Sequence, residues 1–566
     1  MKARLQPSNR PSHVVWLFAT IASVLCCTHL ESGADTFSVT SSAGTENSAS
    51  AGTAGTGAQA TGGSGASGGR NAGGNGGTNR VDGGANDGGA GDNGCIDERG
   101  FDGLGCFRCA PLDIVSLENA CTTASCQPFD NSLRVPSVKA GKLPDLPAPA
   151  AGGSAGAGGS GGTAGTGGGV GVGFACSSLA EGGTVLYVTG STAAKPFLQQ
   201  IAQQLALQKV FVVYTSVGSC TGVDAIVHGT LMRTGAAPLA ASATYWDSSS
   251  STGKACDLAE AGVNADLGIS DVFAPSCPGF ELANLEALKI RDAHGPIQTM
   301  TFAVPANAKH HQISQQAAYM VFGFGKDGQV LDASGQQIWN DESALLQRSA
   351  SSGTQVMLAA AIGVAPGLWK GTPNKSSDDV ANALQAGTAT QAAADATLGI
   401  LGADYIDSRN LRAQIRMLAF QDSHQACAVT PDSSDNAKDK RNVRDGHYPI
   451  WGPMHLLYKV NDKGDPQNEA VRQELIDVVG YLSGAKALPN GVNLIDVYAQ
   501  SGLVPECAMR VTRSADGGAI TPATPLNPCA CLFEQKATGA TDCTACKVQG
   551  DCAAGETCSQ GYCEQP

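Results

Sequence analysis

Gln347-Arg348-Ser349-Ala350-Ser351-Ser352-Gly353-Thr354 precedes Val356 to Ile362, a run of good helix formers. This order puts one arginine, several hydroxyls and free backbone N–H groups where a helix begins. Such a start suits an anion, because its N–H groups lack intrahelical acceptors and the helix dipole favours negative charge. A serine-rich loop that merely caps its helix uses the same residue types, so the neighbouring elements decide between the two.

Upstream, Thr184 to Gly190 (TVLYVTG) reads as a short buried strand. Ser191 to Gln208 has Phe197, Leu198, Ile201 and Leu205 at helical spacing. Lys209 to Gly218 is a second strand, Ser219 opens a helix that ends near Gly229, and Asp266 to Ser270 is a third strand. Alternating strands and helices predict a parallel α/β sheet, whose ligands gather at the carboxyl ends of the strands. Those ends carry Gly190-Ser191-Thr192, Gly218-Ser219 and Ser270-Asp271, all polar. Downstream, strands are expected at Met300–Pro305, Leu398–Leu401, Gln414–Phe420 and Tyr448–Val460. Helices are expected at Ser314–Gly323, Ser377–Ala386 and Gln467–Leu482, with Leu494–Ala499 the last short one. Residues 430–446 read as a charged loop on the solvated surface, and from about 515 the chain returns to turn residues and cysteines.

Much of the 566-residue chain is not core material: it has 73 glycines and only 5 % aromatic residues. Residues 28–94 and 150–174 read as flexible Gly/Ser/Ala-rich linkers, because they have too little apolar surface to offset the entropy of ordering. The net charge of −14 comes without a basic tract, which argues against nucleic acid as a partner. Lys2, Arg4 and Arg10 precede the apolar run Val14 to Leu25, so residues 1–27 are expected to be a signal peptide and the chain exported. Cys26 and Cys27 follow directly. Lipid attachment at either is one form of the exported chain, and a soluble secreted form is the other.

The chain has twenty cysteines, and in an exported protein these argue for disulfides. Residues 95–149 and 513–566 read as small Cys-rich segments. Cys106-x-x-Cys109 and Cys543-x-x-Cys546 fit zinc half-sites, but the tail has no histidine and disulfide modules are expected instead. Five cysteines, Cys220, Cys256, Cys277, Cys427 and Cys507, fall in the main domain and seven in the tail. Full pairing therefore requires at least one bridge that leaves the main domain.

Four pieces carry a family resemblance in the right order: Gly190-Ser191-Thr192 with Pro196; Tyr214 to Val223 (YTSVGSCTGV); Asp266 to Asp271 (DLGISD); and Arg348 to Thr354. The region from about 183 to 510 resembles the periplasmic phosphate-binding protein of the phosphate ABC importer, a type 2 periplasmic-binding-protein fold. Thr397 to Asp404 (TLGILGAD) is a weaker echo. The resemblance implies an α/β, two-lobe domain at 175–512, with lobe one at about 183–300 and 425–510, lobe two at about 301–424, and hinge crossovers between them. It implies phosphate or a related oxyanion bound by Ser191, Thr192, Ala194, Ser219, Asp271, Arg348, Ser352, Gly353 and Thr354, with an ABC permease as partner. Asp271 makes sense beside an anion that keeps a proton to donate, so hydrogen phosphate is expected over sulfate. Two positions depart from the family. Ala194 stands where a threonine hydroxyl is usual, so backbone N–H or Thr192 would serve. Ala350 replaces an aspartate that would orient Arg348.

No cofactor, metal or enzymatic activity is expected. Thr192-x-x-Lys195 superficially matches the S-x-x-K of acyl-enzymes with threonine in the serine's place, and neither a nucleophile elbow nor HExxH is present. His310-His311, and His447 with His455, read as surface or core histidines before metal or acid/base groups. A phosphatase-type hydrolase is therefore the weaker alternative. The stronger one is a surface-displayed adhesive or sensor protein that keeps the fold with altered or lost ligand binding.

Overall fold

The computed structural model describes residues 94–148 and 173–565, apart from 123, 140, 234–242, 250–251 and 282–283. The expected signal peptide, the lipid-anchor cysteines and most of both linkers lie outside the described residues. Among the described residues no helix is long and apolar enough to cross a membrane.

The main chain alternates as expected: β1 (Thr184–Gly190), α1 (Ala194–Ala206), β2 (Val210–Ser216), α2 (Ser219–Val227), β3 (Ala243–Tyr245), β4 (Lys254–Cys256) and β5 (Leu267–Ser270). Next come the long strand β6 (Ile290–Pro305), α3 (Gln315–Phe324), β7 (Leu345–Arg348), α4 (Gly353–Ile362), β8 (Thr372–Asn374) and α5 (Ser377–Gly387). The series ends with β9 (Leu398–Gly402), α6 (Ala403–Ser408), β10 (Ile415–Met417), β11 (Trp451–Lys459), α7 (Arg472–Ser483), α8 (Leu494–Ser501) and α9 (Ala530–Thr538). They build an 11-stranded mixed sheet of order β8-β7-β9-β6-β11-β5-β1-β2-β3-β4, with β10 also paired to β6.

β6 makes this one sheet serve two lobes. Its first half pairs antiparallel with β11, from Ile290↔Lys459 to Thr299↔Trp451, and its second half pairs with β9, from Met300↔Gly402 to Ala303↔Gly399. On one side of that handover β1, β2 and β5 run parallel; on the other, β7, β8 and β9 do. The fold is thus α/β and two-lobed, with β6 as one crossover between the lobes. The sequence reading found only the second half of this strand, because Arg291, Asp292 and His294 interrupt the apolar pattern of the first.

Helical spacing translates directly into packing. On α1, Phe197, Leu198, Ile201, Ala202 and Leu205 are all buried against the first lobe's sheet. Each large side chain of this kind contributes about 1.5–3 kcal/mol on burial. Gly190, at φ 134°, is required where β1 ends: an added Cβ would sit 1.9 Å from the Ile269 carbonyl oxygen of the neighbouring strand.

Three local expectations are corrected. Gln414–Phe420 is two short strands, Ile415–Met417 and Ala419–Gln421, which pair with different partners. The tail forms a further helix, α9, whose Ala530 and Phe533 join the main hydrophobic core, as do Leu117, Phe129 and Val135 from the first Cys-rich segment. Residues 430–446 are not a solvated loop, since Asp432, Asp439, Lys440 and Arg444 are all buried. Lys440 Nζ contacts Asp407 and lies 3.0 Å from Asp432 Oδ1, while Arg412 Nη2 reaches Asp432 Oδ2 at 2.7 Å. A buried charge survives only when paired and hydrogen-bonded, and this network supplies the pairing.

All eighteen cysteines of the described residues are paired. The bridges are Cys95–Cys109, Cys106–Cys121, Cys126–Cys427, Cys176–Cys256, Cys220–Cys277, Cys507–Cys529, Cys531–Cys543, Cys546–Cys558 and Cys552–Cys563. Cys507–Cys529 is a bridge of the kind the parity argument demanded.

Candidate functional site

The carboxyl ends of the parallel strands in the two halves meet across a cleft. From the first lobe come Ser191 after β1, Ser219 at the start of α2 and Asp271 after β5; from the second come Arg348 at the end of β7 and Ser352, Gly353 and Thr354 at the start of α4. All seven are buried. Ser219 Oγ donates to Asp271 Oδ2 at 2.8 Å. A Cβ added to Gly353 would fall 2.3 Å from Ser219 Oγ and 2.7 Å from Asp271 Oδ2. The N-terminus of α4 therefore presses directly on the Ser219–Asp271 pair. Backbone closes the same seam, with Cys220 N donating to Ser351 O at 3.2 Å.

The helix starts at this seam are bare of side-chain caps. Neither Gly218 before α2, Ser352 before α4 nor Gly402 before α6 makes a side-chain capping bond, whereas Ser314 caps α3 and Ser376 caps α5. The Ser352 hydroxyl is thus not spent on its own helix. Orphan N–H groups at such starts attract anions.

Arg348 is held without the carboxylate that Ala350 lacks. Its Nη1 donates to Ser377 Oγ at 2.6 Å, and its backbone N–H donates to Gln355 Oε1 at 2.8 Å. Its Nε is buried without a hydrogen-bond partner among the described residues, and so is Asp271 Oδ1. Burial lowers the guanidinium pKa, against the pull of Asp271. Burial likewise raises the Asp271 carboxyl, with the Ser191 and Ser219 hydroxyls, Arg348 and His455 all opposing it.

The remaining first-loop residues sit differently. Ala194 is buried, and its N–H, with that of Ala193, is taken by Ser191 Oγ at 3.3 and 3.1 Å. Thr192 is only half-buried in this turn. Sequence reading missed Asp404 as a site residue. It follows β9, is buried with Oδ1 unpartnered among the described residues, and has its pKa raised to about 7 by burial and by the charge of Asp271. Its signal was the TLGILGAD echo, which ends on it. Of the histidines, His310 is buried against Trp339, His311 is exposed, and His447 Nε2 donates to the Ala120 carbonyl oxygen at 3.0 Å. His455 packs with Asp292 and His294 and not with His447.

No protein-family model matches this chain, and no curated protein matches it in sequence. Solved structures do resemble it. An ABC-type phosphate transport receptor from Vibrio cholerae is 14 % identical at TM-score 0.34, over 57 % of this chain and 100 % of its own. A phosphate-binding protein from Stenotrophomonas maltophilia is 13 % identical at TM-score 0.36, over 57 % and 90 %. The reduced form of the OxyR regulatory domain from Pseudomonas aeruginosa is 10 % identical at TM-score 0.28, over 53 % and 98 %.

Proposed function

We propose that this chain is a binding protein that closes two lobes over a tetrahedral oxyanion retaining a proton, with phosphate the foremost candidate. The observation that carries this reading is the meeting of Ser219 and Asp271 with the bare start of α4, beside two buried and unmatched polar atoms, Arg348 Nε and Asp271 Oδ1. Arg348 would neutralise the anion, Ser219, Ser352, Thr354 and the α4 N–H groups would complete its shell, and Asp271 would accept the hydrogen bond of the proton the anion keeps. Ser191 would buttress Asp271 and hold the Ala193 and Ala194 N–H groups, while Thr192 would line the rim.

Binding is favoured over catalysis because the Ser219 hydroxyl is bonded to a carboxylate and, among the described residues, no imidazole bonds to it. The nine disulfides support export, since such bridges persist in oxidising compartments. In that setting the chain would deliver its anion to an ABC permease from the periplasm or cell surface, with Cys26 or Cys27 as the lipid anchor.

Titration calorimetry of the full chain with phosphate, sulfate and methylphosphonate tests the proposal. Phosphate is expected to bind, and Arg348→Ala to weaken it by about 2–5 kcal/mol, as when one partner of a buried charge pair is lost. Sulfate bound more tightly than phosphate would remove the role given to Asp271. No heat with any oxyanion would leave a surface-displayed protein that keeps the fold without the ligand.

A further inference from the structure

On the same long strand β6, Asp292 and His294 are two residues apart and so project from one face of the sheet. On β11, His455 stands directly opposite His294 in the ladder. Strand geometry thus brings two imidazoles and a carboxylate together, each offering an atom within 4.8 Å of the others. His455 Nδ1 lies 2.8 and 3.0 Å from the two Asp292 oxygens, and the His294 and His455 rings meet edge to face at 5.1 Å.

His455 is completely buried, and its Nε2 has no hydrogen-bond partner among the described residues. Neither neutral form of the ring is satisfied by protein alone. A proton on Nδ1 bonds Asp292 but strands the Nε2 lone pair in the core; a proton on Nε2 turns the Nδ1 lone pair onto a carboxylate. A cation shared by Nδ1 and Asp292 converts that repulsion into coordination and leaves the proton on Nε2, in a ring packed edge to face on Phe273 at 4.3 Å. Asp292 and His294 also line a cavity of about 1230 Å³, together with Glu506, whose negative charge acts on His294.

We propose that Asp292, His294 and His455 form a binding site for a divalent transition ion of the zinc class. Two imidazoles and one carboxylate suit such an ion, and the cavity leaves its fourth position open to water or an exogenous ligand. The site is separate from the oxyanion reading and stands whether or not that reading holds. The cysteines of the described residues offer no competing thiolates, since all are in disulfides.

The test uses the full chain without a histidine tag, stripped with chelator, then titrated with Zn2+ by calorimetry and with Co2+ by visible absorption. One ion per chain is expected, with the intense d–d bands of low-coordinate cobalt. His294→Ala and Asp292→Asn, confirmed as folded by circular dichroism, are each expected to weaken binding about tenfold or more. His424→Ala, in the separate Glu118–Asp422–His424 cluster, should leave it unchanged. Absence of saturable binding, or affinity unaffected by His294→Ala and Asp292→Asn, overturns the assignment, as does loss of binding in His424→Ala alone.

Discussion

At the scale of single residues, Gly353 is the tightest constraint on the cleft. A methyl group there would meet Ser219 Oγ, Asp271 Oδ2 and, at 2.8 Å, Asp271 Cβ. The hydroxyl can rotate away, but Asp271 Cβ is fixed to its backbone, so Gly353→Ala must push the lobes apart. Phosphate affinity in calorimetry is expected to fall at least tenfold in this variant, with the thermal midpoint little changed, because α4 gains a better helix former. Retained affinity would mean that the lobes bind without closing this seam. Glu118 makes a different prediction. Burial, then Asp422, pushes its pKa up to about 8, against Arg513. The folded chain therefore keeps a proton that the unfolded chain loses near the ordinary value of 4.5, and stability falls as pH rises from about 4.5 to 8. Urea unfolding from pH 5 to 8.5 should show a shallower decline in Glu118→Gln than in the parent; parallel profiles would exclude this proton. Ser219 and Asp271 were legible because each follows a recognisable strand, and Arg348 because its serine-rich neighbours open a helix; the strand that Arg348 ends, β7, was not among the expected elements. Asp404 was not legible, because nothing in TLGILGAD says that this carboxylate is buried where the charge of Asp271 acts on it.

At the scale of elements, periodicity found α1, α2, α3, α5 and the parallel strands β1, β2, β5 and β9 because their apolar faces are continuous and pack locally, but not β7 or β8, which are only four and three residues long. It failed where partners lie far away in sequence. Residues 430–446 look solvated because Asp432, Asp439 and Lys440 are charged, and only the fold brings Asp407 and Arg412 to them. Lys440 also takes a left-handed backbone, φ 47°, which the sequence does not announce. Lys440→Met leaves Asp407 and Asp432 facing one another with Arg412 as their remaining cation. Removing one member of a buried ion network costs about 3–5 kcal/mol. Urea unfolding at neutral pH should register a loss of that order. A change under about 1 kcal/mol, the size found for surface pairs, would mean that water reaches the network.

At the scale of the whole molecule, the Cys-rich ends are part of the core. Cys126–Cys427 ties the first segment to the chain just after Ala419–Gln421, Gln127 N–H bonds Ala428 O at 3.1 Å, and the Phe129 N–H bonds Gln421 Oε1 at 2.7 Å. Phe129 and Val135 bury their side chains in the same region. The parity of the cysteines required some such cross-link, but composition could not name its partners, because pairing depends on where the fold brings Cβ atoms together. The bridge spans a sequence separation of 301, so in the unfolded chain it removes much conformational freedom. Replacing both cysteines by serine should destabilise the chain by about 2–5 kcal/mol, seen as a lower thermal midpoint. The proposed oxyanion site lies on other elements, so the phosphate binding proposed for it should be preserved in the folded double variant. An unchanged midpoint would show that the hydrogen bonds and the burial of Phe129 and Val135 hold the segment in place alone; lost binding would show that the docked segment sets how the lobes meet.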